Sequence, residues 1–104
     1  MTDTFKTLAQ RQVPNSNTTI YTANGVQSII RQIIVANTTG SDATIKLWVN
    51  GTADGNVILP FTSVLAGAHG EYNGAITLNV GESLSALSGT NNAITISVFG
   101  VESA

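Results

Sequence analysis

The sequence predicts an all-β chain, a single antiparallel β-sandwich or jelly-roll-like domain behind an N-terminal arm, and three observations carry the prediction. Between Tyr21 and Val101, short apolar runs recur with Gly and Asn between them, at about the eight-to-twelve-residue spacing with which all-β domains place their turns. The runs are rich in Ile, Val and Thr, whose branching at Cβ suits a pleated, half-buried surface. No stretch long enough for a stable helix repeats its apolar side chains at helical spacing.

Each element follows in chain order. Residues 1–14 hold Asp3, Lys6 and Arg11 with the apolar Phe5, Leu8 and Val13 loosely spaced among them, and end before the turn-like Pro14-Asn15-Ser16-Asn17. This segment reads as an arm, extended or strand-like, with a short helix as the other option its spacing allows. The sandwich is expected over 15–104. Thr18–Thr22 is β-branched or aromatic and is closed by Asn24-Gly25, a dipeptide suited to positive φ.

Along Ser28–Asn37, Ile30, Gln32, Ile34 and Ala36 share one face, and Ile29, Arg31, Ile33 and Val35 the other. Neither face is clean, which predicts a central strand covered on both sides or a bulge midway. Ala43–Val49 alternates well, with Ile45, Leu47 and Val49 on the face to be buried and Lys46 and Trp48 opposite. Val57–Leu59 is a short strand that Pro60 stops or sends to a sheet edge, because proline has no ladder donor. Three more strands are expected over Ala75–Val80, Ser83–Leu87 and Ala93–Val101. Ile94, Ile96 and Val98, Ile76, Leu78 and Val80, and Ile45, Leu47 and Val49 form three aliphatic ladders meeting in one core.

Composition narrows the function. Charged residues make up 10% of the chain, and the net charge is −2, against ~25% charged residues in ordinary soluble domains. Such a surface offers little repulsion between sheet edges, so self-association is expected. Lys6, Arg11, Arg31 and Lys46 are the only cations besides the single His, and they form no cluster that would neutralise successive phosphates, so no nucleic-acid partner is expected. No apolar run approaches the ~18 residues of a membrane span, and no membrane partner is expected. The opening MTDTFKTLAQ lacks a long apolar region, which points to synthesis and residence in the cytoplasm unless the chain is carried in a larger particle.

Two stretches, IYTANGVQSIIRQIIVANTTGSDATIKLWVNG and LAGAHGEYNGAITLNVGESLSALSGTNNAITISVFGVES, resemble small structural proteins of tailed-bacteriophage virions. The resemblance implies a β-sandwich building block of the head, neck, tail or fibre, made in the host bacterial cytoplasm and resident in the virion. It implies structural work beside other virion proteins, such as the major capsid or tail protein, as a homo-oligomer with a trimer favoured. The chain's polar segment before Asn15 and its Ala68–Tyr72 loop depart from that pattern, and no functional site is carried over. A carbohydrate- or receptor-binding module is the alternative, with Trp48, Tyr21 and Tyr72 as its stacking rings.

His69, Glu71 and Tyr72 coincide in a Gly-flanked loop, the one place where an acid/base group, a carboxylate and an aromatic meet, yet no nucleophile or orienting partner accompanies them. No catalytic residue is expected, and no cofactor. Asp42, Asp54, Glu71 and Glu82 fall in expected turns but lack calcium-loop spacing, and no metal site is expected. Phe5, Leu8, Val13, Trp48, His69 and Tyr72 stand as candidate interface residues.

Overall fold

Apolar side chains at every second position, from strands scattered along the chain, can share a dry interior only if the strands stack as two layers. The computed structural model, which describes residues 3–103, has that form. Its eight strands are β1 (Asp3–Val13), β2 (Thr18–Thr22), β3 (Gln27–Asn37), β4 (Ala43–Val49), β5 (Val57–Val64), β6 (His69–Asn79), β7 (Ser83–Ser88) and β8 (Ile94–Ser103). One sheet runs β1-β8-β3-β6 and the other β2-β7-β4-β5. All pairings are antiparallel, and β1 pairs with β8, β2 with β7, β3 with β6 and β4 with β5. The chain is thus a hairpin ribbon doubled over and rolled up, the jelly-roll arrangement of double-sheet all-β domains.

Ile30, Ile33, Ile45, Leu47, Leu78, Leu84, Ile94, Ile96, Val98 and Val13 are each at most 1% exposed and fill the space between the sheets. The β4 and β8 ladders bury as expected, apart from a half-buried Val49. In the β6 ladder only Leu78 is fully buried, because the strand ends at Asn79 and Val80 lies in the following turn, 64% exposed. There Glu82 N–H donates to the Asn79 carbonyl at 2.9 Å, and Gly81 takes φ 86°, a conformation open to glycine at little cost.

The mixed faces of β3 resolve as a bulge. Its register shifts between Ile30 and Gln32 against both neighbours: against β8 Arg31 is the extra residue, and against β6 it faces two residues, Gly74 and Ala75. Arg31 stays exposed while Ile30 and Ile33 both point inward. Pro60 does not end its strand. β5 continues to Val64 as the edge of its sheet, with irregular register against β4 on either side of Leu47–Leu59, and an edge is where a missing ladder donor is tolerated.

Two boundaries differ from the sequence reading. The segment read as an arm over 1–14 is, from Asp3, an edge strand laid along the chain's own β8, from Asp3↔Ser103 to Val13↔Ile94, with a register shift at Leu8. The bulge hides its alternation, and Val13 is fully buried. Likewise β6 begins at His69 rather than near Ala75, so His69 and Tyr72 belong to a strand and not to a loop. Gly70, Gly74 and the polar residues between them carry no strand signal. The long neighbour β3 imposes the pairing, matching Ala36 to His69 and Ile33 to Tyr72.

Candidate functional site

Stacking the two sheets in these orders sets β1 over β2 on one side and β6 over β5 on the other. The β1/β2 side is sealed by a polar chain. Tyr21 on β2 donates from its hydroxyl to Glu102 Oε2 on β8 at 2.9 Å, which leaves Ser28 Oγ on β3, 2.7 Å away, to donate to Tyr21. Lys6 on β1 completes the chain at 3.3 Å from Glu102 Oε1. Burial pushes the Tyr21 hydroxyl above its ordinary range, and the hydrogen bonds from Tyr21 and then Lys6 hold the Glu102 carboxyl below its own.

The β5/β6 side is open. A cleft of about 270 Å3 lies between the edge strands, floored by Ile33, Val35, Ile45 and Leu47 and walled by Leu59 and Tyr72. Leu65, 60% exposed, lines it from the turn that joins β5 to β6, while Phe61, 53% exposed, stands on the same edge strand but on its outer face, under Lys46. A buried amide fixes one end of the cleft. Asn37 is 3% exposed, and its Nδ2 donates to the Val64 carbonyl at 2.9 Å and the Ser41 carbonyl at 2.8 Å, while its Oδ1 accepts from the Thr39 backbone and hydroxyl. Sequence reasoning sees Asn37-Thr38-Thr39-Gly40 only as a turn. That the amide reaches back to β5 follows from tertiary packing.

His69 and Glu71 sit at the cleft rim with His69 Nε2 3.6 Å from Glu71 Oε1, both side chains substantially exposed. Tyr72 is half-buried and packs against the core. The three sequence neighbours therefore line one cleft, with the hydroxyls of Thr62 and Ser63 elsewhere in its lining, and Asn73 Nδ2 donates to Glu71 Oε2 at 3.5 Å. Two of the turn carboxylates, Asp42 and Glu82, are engaged locally. Asp42 Oδ1 accepts from Ala66 N–H at 2.9 Å, and Glu82 accepts from Asn79 N–H at 2.8 Å and from Asn50 Nδ2 at 2.9 Å. Among the described residues no three His, Asp or Glu side chains gather where they would hold a metal ion.

The other candidate residues disperse. Phe5 stands 78% exposed on β1, at the edge opposite the cleft, Leu8 is half-buried against the core, and Val13 is inside it. Trp48 lies on the outer face of its sheet with Lys46, as expected, but is only 3% exposed and so offers no ring to solvent. Lys46 Nζ sits 5.2 Å from the Trp48 ring centroid and 5.3 Å from that of Phe61, a cation–π bridge over both aromatics. The Trp48 indole N–H has no acceptor among the described residues.

No family model matches this chain, and no curated protein does. Solved structures match it throughout. A chain of the T13 IBDV viral particle superposes with a TM-score of 0.59 at 10% identity over 95% of this chain, which spans 30% of that one. A chain of Bacillus endospore appendages, disulfide-linked pili, gives 0.54 at 19% identity over 96% of this chain and 86% of its own. The Drosophila NLP-core, solved for pentamer formation and histone binding, gives 0.53 at 12% identity over 94% and 100%. At these identities the likeness is one of fold, the two-layered β-sandwich.

Proposed function

We propose that this chain is a non-enzymatic structural subunit of a bacteriophage particle, assembling with copies of itself on the head or tail surface beside the major capsid or tail protein. The observation that carries the reading is the open β5/β6 edge, an apolar cleft with exposed Leu65 in its lining and exposed Phe61 on the outer face of the same edge strand, on a chain whose charged share is only 10%. Contiguous apolar surface with few charges is the composition of a surface destined to be covered by protein.

A copy that covers the cleft with a different surface makes a head-to-tail contact, which closes as a ring where its rotation permits, and a trimer is the smallest ring of that kind. The jelly roll is a scaffold used in viral capsids and in lectins alike, and the fold alone does not choose between them. The neighbours from a viral particle, from pili and from a pentamer favour assembly. For the sugar-binding alternative Trp48 is buried and Tyr21 is half-buried within the polar chain, which leaves Tyr72, on the wall of the cleft, as its one stacking ring.

A cryo-electron map of the intact particle tests the proposal. Density for this eight-stranded sandwich on the head or tail, with the β5/β6 edge covered, supports it. A particle without such density overturns it.

A further inference from the structure

The sequence holds three Asn-Gly pairs, Asn24-Gly25, Asn50-Gly51 and Asn73-Gly74, and the fold places them in three different environments. Asn50 is locked. Its Nδ2 donates to Glu82 Oε2 at 2.9 Å, its Oδ1 accepts from Ser83 N–H at 3.0 Å, and its backbone N–H donates to the Ser83 carbonyl at 2.8 Å. Asn73 is held inside β6, paired with Gln32, whose Nε2 donates to Asn73 Oδ1 at 3.1 Å.

Asn24 differs from both. It is exposed in the β2–β3 connection, and among the described residues no hydrogen bond holds its amide nitrogen. Its Oδ1 accepts from the N–H of Gly25 at 3.1 Å, which holds the side-chain amide beside the backbone nitrogen that follows it. Gly25, at φ 72°, has no Cβ to obstruct the approach.

We infer that Asn24-Gly25 is a self-modification site, at which the chain converts its own asparagine to aspartate and isoaspartate while folded. Gly25 N attacks Asn24 Cγ; the N–Cγ bond forms, the Cγ–Nδ2 bond breaks, and Nδ2 leaves as ammonia carrying the proton from Gly25 N. The cyclic imide so formed adds one water at either carbonyl. Opening at Cγ gives aspartate, and opening at the main-chain carbonyl gives isoaspartate, whose main chain runs through the former side chain.

The site has a structural consequence because the connection is pinned on both flanks. Ala23 N–H donates to the Glu82 carbonyl at 2.8 Å, Gly81 N–H to the Ala23 carbonyl at 3.1 Å, and Val26 N–H to the Ser103 carbonyl at 3.0 Å. An isoaspartate lengthens the main chain between these anchors, and either product adds a negative charge to a chain of net charge −2.

The test is incubation of the folded protein in mildly alkaline buffer, followed by peptide mapping with mass and isoaspartate detection at all three sites, beside the same chain held in denaturant. The inference expects conversion at Asn24 several-fold ahead of Asn50 and Asn73 in the folded protein, similar conversion at all three when unfolded, and a lower melting temperature for the aged chain that Asn24→Gln prevents. Equal conversion at the three sites in the folded protein, or Asn50 or Asn73 leading, overturns it.

Discussion

The hydroxyl of Tyr21 and the carboxylate of Glu102, 2.9 Å apart, join the two sheets of the sandwich across the side that β1 and β2 close. Tyr21→Phe keeps the ring and removes the hydroxyl, leaving the buried Ser28 without its partner. The expected cost is about 1–3 kcal/mol, the usual penalty for a buried polar group left unsatisfied, measured by urea denaturation. The same contact sets a pH dependence. The Glu102 carboxyl is held below its ordinary value in the folded state, so the folded chain releases that proton more readily than the unfolded one. Its stabilisation is complete above the unfolded carboxyl's value of 4.5 and is lost as pH falls through the lower folded value. Glu102→Gln flattens that acid limb in a plot of stability against pH; an unchanged limb would count against the assignment.

Asn37 ties the end of β3 to the end of β5 through buried amide hydrogen bonds. Asn37→Ala strands the Val64 carbonyl and is expected to cost about 1–3 kcal/mol. Hydrogen exchange should show the loss first at Thr39–Ser41 and at Val64.

At Gly100, a Cβ would run into the carbonyl oxygen of Ile29 beside the β3 bulge. Gly100→Ala is expected to destabilise by about 1–3 kcal/mol or more, as overpacking does. Gly40→Ala, where a Cβ meets nothing within 4 Å, should be close to neutral. Melting temperatures of the two variants check the contrast.

Removal of residues 1–13 takes away an edge strand and the fully buried Val13 and bares the β8 edge. The truncated chain is expected to unfold or aggregate, as an uncovered long edge invites. A truncated chain with native circular dichroism and an unchanged melting temperature would mean that the strand is detachable.

Much of the fold is legible in the sequence where period-two alternation is strict and unbroken, as in Ile94–Val98 and Ala43–Val49. Legibility fails where the pattern is broken by a bulge or carried by the neighbour. The bulge at Leu8 splits the alternation of β1 and makes it read as an arm, and β6 from His69 to Gly74 has no β-forming residues of its own beyond Tyr72 but is held by β3. The His69-Glu71-Tyr72 cluster is visible in the sequence because its members are adjacent. The cleft it borders is not, since Ile33, Ile45 and Leu59 meet only after the ribbon has doubled over. Trp48 shows the limit of face assignment, because alternation places it correctly on the Lys46 side but says nothing of its burial.

Sedimentation velocity over a wide range of concentration, on the parent chain and on Phe61→Glu and Leu65→Glu, tests most directly whether the open β5/β6 edge joins copies. The account predicts a discrete oligomer for the parent chain, of trimer mass in the simplest ring, and folded monomers for both variants. A parent chain that stays monomeric at every concentration, or an oligomer that neither substitution disturbs, would contradict it.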